Sequence, residues 1–255
     1  MISYLFIFLF GLIIGSFLNC VIYRFEKKES FLKGRSYCPQ CKHGLRWYDL
    51  IPILSYVLLL GKCRYCKKTI SLQYPLVELA TGLLFLAVFN PEHSVRTFYL
   101  LLTNCFLIII FVYDLRHYII PDKVIFPAIG VSFVYISFLL FTGDYSLSQF
   151  LNMIYSGFWP AFSFLSLFII SQGKWLGFGD VKLAFFMGIL LGFPKILVAL
   201  FLAFSIGGII GVGLIILRIK KIKSEIPFAP FLIVGTYLAM FWGQYLIDWY
   251  LGLLK

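Results

Sequence analysis

Two aspartates lie beside apolar runs of the sequence. Asp114 directly follows the run 97–113, and Asp180 lies shortly before the run 183–193. Ionisable side chains at the edge of a membrane are costly, so a functional role is the first explanation to consider. Two carboxyl groups that approach each other can share one proton and act as an acid and a base. The pair therefore predicts aspartyl protease chemistry at a membrane.

Some of these acidic residues also have a structural interpretation. Asp180 is a candidate N-cap of the helix that follows it, and Asp122, after Pro121, is a stronger candidate for the same role. Asp114 ends a predicted helix, where the macrodipole opposes a negative charge. Of the three, only Asp114 has no structural explanation in its local sequence.

Four further residues are candidate substrate contacts. Gly177 and Gly179 lie beside Asp180 in the sequence Gly177-Phe178-Gly179-Asp180 and permit close approach of a peptide backbone. Lys182 is near enough in sequence to clamp or tune the Asp180 carboxylate. Glu78 lies about one turn into its apolar run. It could receive a basic group of a substrate, pair with a basic loop residue, or simply be tolerated near a helix N-terminus.

Four cysteines in the polar segment 24–74 follow the pattern C-x2-C-x21-C-x2-C. Two such pairs can supply four thiolates in tetrahedral geometry, which suits a structural zinc ion. Neighbouring lysines and arginines would help to stabilise the thiolates. Disulfides and a redox role are the alternatives, and a reducing cytoplasm disfavours disulfides. The predicted zinc ligands are Cys38, Cys41, Cys63 and Cys66.

The stretch 51–60, between the two cysteine pairs, is apolar but too short to span a membrane. It is either a membrane-surface or re-entrant element, or a core helix that lies beneath the loop. The sequence favours neither interpretation.

The composition predicts an all-α polytopic membrane protein. The chain has 255 residues, of which 61% are hydrophobic and 13% charged, and its mean hydropathy is +0.94. Two of its apolar runs, 75–90 and 183–194, are shorter than the roughly 20 residues that a membrane span prefers. Together the runs predict a bundle of about eight transmembrane helices, at 2–23, 75–90, 97–113, 124–142, 150–171, 183–194, 196–217 and 228–247.

The basic residues are distributed unevenly among the loops. All but three of the 22 lysines and arginines fall in loops of one side, the exceptions being Arg96, Lys195 and Lys255. The positive-inside rule places the first set in the cytoplasm, both termini outside, and both aspartates at the cytoplasmic face. The net charge of +11 follows this topology without a recognition motif, which disfavours nucleic-acid binding. The predicted parts are a first transmembrane helix (1–23), a cytoplasmic zinc-binding loop (24–74) and a transmembrane core (75–255).

Several short motifs occur in order along the chain. Asp114 lies eight residues before the aspartate of an Ile-Pro-Asp turn, and Asp180 lies in Gly-x-Gly-Asp followed by x-Lys-Leu. The others, besides the cysteine pairs, are Gly15-Ser16-Phe17-Leu18-Asn19, Tyr23-Arg24, Arg35-Ser36, Trp47-Tyr48-Asp49 with Ile51-Pro52, and Tyr74-Pro75-Leu76-Val77-Glu78. In this order and spacing the sequence resembles the bacterial type IV prepilin peptidases over nearly its whole length. One departure is Phe25-Glu26, where that family usually has Leu-Pro.

The resemblance implies a GxGD-type membrane aspartyl protease of the bacterial inner membrane, with Asp114 and Asp180 as its catalytic residues. Its substrates would be prepilins or pseudopilins, cleaved after a glycine that ends a short, basic, cytoplasmic leader, commonly before a phenylalanine. Because the loop is itself basic, Glu78, Asp49 or anionic membrane lipid would have to attract that leader. The resemblance also implies N-methylation of the product with S-adenosylmethionine. The zinc loop is the expected place for this reaction, although the sequence has no glycine-rich nucleotide fingerprint.

Two other classes of protein fit some of these features. A transporter also places carboxylates beside short helices, but ordinarily near the middle of the membrane rather than at one face. A zinc-dependent scaffold or redox sensor would need the four cysteines but not both aspartates.

Overall fold

The computed structural model describes residues 2–27, 29–30, 36–218 and 226–253. Within these ranges the chain consists of helices and loops, with two isolated β-bridges. The helices are α1 (Ile2–Lys27), a 3₁₀ helix (Trp47–Leu50), α2 (Leu54–Leu58), α3 (Gln73–Val88), α4 (Ser94–His117), α5 (Asp122–Thr142), α6 (Leu147–Ser171), α7 (Phe178–Leu191), α8 (Lys195–Ile216) and α9 (Ala229–Leu253). The prediction of an all-α fold is confirmed.

Each of the eight predicted apolar runs corresponds to one helix, namely α1 or one of α3 to α9. Six of them, α1, α4, α5, α6, α8 and α9, are long and apolar enough to cross a membrane. The two runs that the sequence marked as short form α3, with 16 residues, and α7, with 14 residues. Some basic residues used for the predicted topology lie outside the described residues: Lys28, Lys33, Arg35, Lys220, Lys221, Lys223 and Lys255.

The chain divides into two compact units, Met1–Ile109 and Ile110–Lys255, with the boundary inside α4. In the first unit, α1 packs closely against α3. A Cβ atom added to Gly11 would lie 2.8 Å from the Cα of Gly82, and one added to Gly15 would lie 2.7 Å from the Cα of Glu78. Glycine at these positions lets the two helix backbones touch, as in other membrane helix pairs.

In the second unit, the short helix α7 is surrounded by α5, α6, α8 and α9. Most of its side chains are buried, which is expected of a helix that is apolar on all sides. Its approach to α6 is very close, since a Cβ atom added to Gly188 would lie 1.9 Å from the carbonyl oxygen of Ser156. The backbone contact fixes α7 within the unit, and with it the aspartate near its first residue.

Candidate functional site

Asp114 lies in the last turn of α4 and is buried, with 5% of its surface exposed. Its Oδ2 atom has no hydrogen-bond partner among the described residues. The backbone N–H of Ala229, the first residue of α9, faces the same carboxyl group. The positive end of the α9 dipole therefore offsets the unfavourable end of α4, a compensation that the local sequence could not reveal.

Asp180 is the third residue of α7, and the residue that caps this helix is Gly177. The N-cap interpretation of Asp180 is therefore wrong. Its Oδ2 atom instead accepts a hydrogen bond of 3.1 Å from the backbone N–H of Gly177, the reach-back contact of a capping box. This single local bond places the Asp180 carboxyl at the N-terminus of α7, where the helix dipole favours a negative charge.

The fold brings the carboxyl groups of Asp114 and Asp180 together. They lie close enough for the charge of one to act on the other, although they come from different helices of the second unit. Two neighbouring carboxyl groups can hold a single proton between them, so one serves as a base while the other serves as an acid. A buried carboxylate oxygen without a partner is unusual in a protein and is expected where a substrate or water binds.

Lys182 does not contact Asp180, so the predicted clamp is wrong. Its Nζ atom forms an ion pair with Asp122, at the start of α5. The same atom lies 5.2 Å from the ring centroid of Phe126 and 4.9 Å from that of Phe178, which adds cation–π attraction. Lys182 therefore joins the first turn of α7 to the first turn of α5.

Asp122 is not the N-cap of α5, which corrects a second prediction. The capping position is occupied by Pro121, whose carbonyl oxygen accepts the N–H of Val124 at 2.9 Å. Asp122 is the first helical residue, where its charge still interacts favourably with the helix dipole. Because Asp122 does not cap the helix, its carboxylate is available to Lys182.

The two glycines around Asp180 have different surroundings. A Cβ atom added to Gly179 would lie 3.0 Å from the Cβ of Ile120, in the connection between α4 and α5. A Cβ atom added to Gly177 would meet only the Asp180 carboxylate, at 3.5 Å, and a backbone nitrogen at 4.0 Å. Gly179 thus permits a close contact within the chain itself, whereas Gly177 is exposed and open on its outer side.

The four predicted zinc ligands converge in the first unit. Their sulfur atoms all lie within 4.8 Å of one another, and Cys38 Sγ is 4.0 Å from Cys66 Sγ. A tetrahedral zinc site with Zn–S bonds of about 2.3 Å places its sulfurs about 3.8 Å apart, so the four thiols fit such an ion. The set contains no ligand that could leave an open coordination position, which is typical of a structural site.

The two cysteine turns, residues 38–44 and 63–69, have the same backbone geometry. In each turn the carbonyl oxygen of the first cysteine accepts an N–H from four residues later, at 2.9 Å for both Lys42 and Lys67. Both lysines adopt a left-handed conformation, with φ of 59° and 58°. The repeated geometry presents two sulfurs from each turn and supports the zinc prediction beyond the cysteine spacing alone.

Asp49 joins the 3₁₀ helix to the second cysteine turn. Its side chain is only 3% exposed and accepts hydrogen bonds from Arg64 Nε at 2.7 Å, Tyr65 Oη at 3.0 Å and the Arg46 backbone N–H at 3.1 Å. Burial acts to raise the pKa of Asp49, but these donors outweigh it and hold the pKa below its ordinary value. The sequence offered Asp49 as an attractor for a basic leader, and the structure shows a carboxylate already occupied within the loop.

Glu78 also has a partner within the chain. It is buried in α3, and its Oε2 atom accepts the backbone N–H of Ile53 at 2.8 Å. Ile53 has a φ of 59°, a strained conformation for a β-branched residue. Glu78 therefore holds the loop segment that precedes α2 against α3, a role that none of the predicted alternatives included.

Comparisons with known proteins agree with this geometry. Residues 9–91 match the family described as Bacterial Peptidase A24 N-terminal domain, and residues 101–212 match the Type IV leader peptidase family. The first match contains the four cysteines, and the second contains both aspartates.

Similar curated proteins cover nearly the whole chain. The chain is 33% identical to a protein of Aeromonas hydrophila (96% of this chain, 92% of that protein) and 33% identical to one of Bacillus subtilis (96% of each). It is 30% identical to a protein of Legionella pneumophila (98% of this chain, 94% of that protein). All three carry the name prepilin leader peptidase/N-methyltransferase. No solved structure matches the chain.

Proposed function

Because the chain belongs to the type IV leader peptidase family, we infer that it is an enzyme that cleaves the leader of prepilins and N-methylates the product. The observation that carries the peptidase assignment is the proximity of Asp114 to Asp180 at the ends of two helices. A transporter or a zinc-dependent scaffold would not need this pair, and neither alternative is favoured.

We propose that Asp114 and Asp180 act together on a water molecule and the scissile peptide bond. The ionised carboxylate removes a proton from water, and the resulting hydroxide attacks the carbonyl carbon. The protonated carboxyl donates a hydrogen bond to the carbonyl oxygen as negative charge develops there. When the tetrahedral intermediate collapses, the C–N bond breaks and a proton passes from the pair to the leaving amine.

The proposed substrate is a prepilin or pseudopilin whose short basic leader ends in glycine. Gly177 supports close approach of this peptide, because its outer side is open and Asp180 lies three residues away. The glycine that ends the leader, directly before the scissile bond, has no side chain and therefore suits the same narrow approach. Asp49 and Glu78 are weaker candidates for the leader's attractor, since each already accepts a hydrogen bond from the loop. Anionic lipid is the attractor that fits this arrangement.

The six long apolar helices and the family indicate a multi-pass protein of the bacterial inner membrane. We place the aspartates at the cytoplasmic face, on the distribution of basic residues. Reporter fusions at Glu92 and Gln149 test this placement and should both report the outer side. A cytoplasmic signal at either position would overturn the topology.

The four thiolates of the cysteine turns would hold a structural zinc ion, which would join the two turns of the loop when bound.

For methylation we propose S-adenosylmethionine as the methyl donor and the zinc loop as the site of the reaction, on the resemblance alone. Methylation can be measured without cleavage on a processed pilin peptide that already has a free N-terminal phenylalanine. Asp180→Asn should still transfer a labelled methyl group to this peptide, because methylation breaks no peptide bond. Loss of methyl transfer in a folded Asp180→Asn protein would contradict the proposal that cleavage and methylation are separate reactions.

The experiment that tests the proposed function is incubation of the purified chain, in a bilayer, with a prepilin that has a Gly-Phe junction. Mass spectrometry should find cleavage directly after the glycine and an N-methylated phenylalanine when S-adenosylmethionine is present. An intact prepilin, with the chain folded and zinc supplied, would contradict the assignment.

A further inference from the structure

The segment between the two cysteine turns presents its apolar side chains outward. In α2, Leu54, Val57 and Leu58 are 51%, 58% and 72% exposed. These residues occupy positions i, i+3 and i+4, so they lie on one face of the helix. Trp47, at 78% exposed, and Leu60, at 84%, extend the surface on either side. These five residues form what we call the apolar loop face, and the alternative of a core helix beneath the loop is wrong.

The opposite side of this segment is fixed to other residues of the first unit. The hydroxyl of Tyr56 donates to the carbonyl oxygen of Ile70 at 3.4 Å, and its oxygen would lie 2.9 Å from a Cβ atom added to Gly61. On the preceding residues, Glu78 accepts the N–H of Ile53. Two anchors, one at Ile53 just before α2 and one at Tyr56 within it, therefore set the direction in which the apolar loop face points.

The contact with Glu78 also sets the depth of the segment. Glu78 is five residues from the start of α3 at Gln73, which corresponds to about 8 Å along a helix that rises 1.5 Å per residue. With 16 residues, α3 is about 24 Å long, less than the roughly 30 Å of a hydrocarbon core. If α3 crosses the membrane, its first turns cannot lie far outside it. Ile53, which contacts Glu78, then lies no farther out than the boundary between headgroups and acyl chains.

The charges around the apolar loop face match a negatively charged surface. Residues 36–72 contain one acidic residue, Asp49, whose carboxylate is already paired with Arg64. The same stretch contains six basic residues, all on the exposed surface: Lys42, Arg46, Lys62, Arg64, Lys67 and Lys68. Apolar side chains, a tryptophan and basic residues together are typical of elements that lie in the interface of an anionic membrane.

We propose that the apolar loop face inserts into the headgroup boundary of an anionic bilayer and holds the cysteine-bearing loop against the membrane. A bound peptide is the less fitting occupant, because prepilin leaders are expected to be basic and the loop is basic as well. The proposal does not rest on the peptidase assignment, since it concerns the resting chain without a substrate.

The test uses the full zinc-loaded chain in nanodiscs that contain phosphatidylglycerol and lipids brominated at known depths. A fluorescent amino acid is placed at one position at a time: at Leu58, at Gln40 in the first cysteine turn, and at Val134. Gln40 is the exposed control of the same loop, and Val134, which is 70% exposed near the middle of the candidate span α5, is the lipid-facing control. Zinc content equal to that of the unmodified chain verifies that the loop is folded. Position 54 replaces position 58 if the label there displaces zinc.

Without substrate, position 58 should be quenched by shallow bromines, position 134 by deep bromines, and position 40 by neither. Quenching at position 58 should weaken when phosphatidylcholine replaces phosphatidylglycerol. Quenching at position 58 no stronger than at position 40 would overturn the proposal. The proposal would also be overturned if position 58 were shielded from water only after a prepilin is added, because the apolar loop face would then bind peptide. Equal quenching in both lipids would overturn the assignment of an anionic surface.

Discussion

Lys182 pairs with Asp122 rather than with Asp180, the aspartate two residues before it on α7. The ion pair joins the first turns of α5 and α7, and Gly179 packs against Ile120 in the connection that leads into α5. The connection from Asp114 to α5 is therefore held beside the start of α7 at two points. This arrangement positions the two candidate catalytic carboxyl groups, although neither Lys182 nor Asp122 belongs to the pair.

Lys182→Met and Asp122→Asn should each reduce prepilin cleavage only modestly. The Asp122 carboxylate is 60% exposed, and an ion pair with an exposed partner contributes about 1 kcal/mol or less, equivalent to at most about a fivefold loss in kcat/KM. Steady-state cleavage by the two variants provides the comparison. Abolished cleavage in Lys182→Met, with Asp122→Asn still active, would indicate that the lysine acts on Asp180 after all.

Gly179→Ala and Gly177→Ala form a matched pair of variants. The added methyl group at position 179 meets Ile120 at 3.0 Å, so Ile120 or the start of α7 must give way by a few tenths of an ångström, and cleavage should fall. The same methyl group at position 177 meets no part of the chain closer than 3.5 Å, so the thermal stability of that variant should fall less, because its only cost is the weaker N-cap preference of alanine. If substrate approaches there, its KM should rise. Equal loss of stability in both variants would contradict the separation of the two glycines.

Asp49→Asn should destabilise the zinc loop by about 1 kcal/mol, because charged hydrogen bonds to Arg64 and Tyr65 are weakened while Arg64 remains partly solvated. The pKa of Asp49 is lower in the folded loop than the ordinary value of about 3.9. Its stabilising contribution is therefore complete above that value and is lost only as the pH falls through the lowered pKa. Denaturant-induced zinc release should show the same gap between the two proteins at pH 7 and pH 5. A gap that closes between these pH values would contradict the assigned pKa direction.

Cys38→Ser and Cys63→Ser combined should remove the zinc, since one ligand is lost from each cysteine turn. Metal analysis of the unmodified protein should give about one equivalent under the four-thiolate model. The control replaces Cys20 and Cys105, which lie in helices outside the cluster and should leave the zinc in place. Cleavage should fall only in part, because the cysteines are not members of the aspartate pair. Zinc retained by the Cys38 and Cys63 variant would place the metal elsewhere.

The features that the sequence predicted correctly depend on local properties. The apolar runs match the helices because hydropathy and length act within each segment, and the cysteine spacing matches two turns that each close over a few residues. The aspartate pair could be anticipated from the motif at Asp180 and the Ile-Pro-Asp turn after Asp114.

The features that the sequence missed depend on contacts between distant segments. Asp122 looked like an N-cap, but Pro121 occupies that position and a lysine 60 residues away takes the carboxylate. The N–H of Ala229 that faces Asp114 and the side chains of Arg64 and Tyr65 around Asp49 are likewise contributed by other elements. No periodicity or spacing in the sequence could reveal these partners.

Cleavage of a Gly-Phe prepilin by Asp114→Asn and Asp180→Asn tests the central claim most directly, with Asp122→Asn as the control. The amide has nearly the same shape as the carboxyl group but cannot transfer the proton. Each of the first two variants should therefore be inactive while it remains folded in the membrane with its zinc bound. Asp122→Asn should cleave. The double variant should be no worse than either single variant, because the two residues act as a unit. Cleavage by Asp114→Asn or Asp180→Asn at a rate near that of the unmodified enzyme would contradict the account.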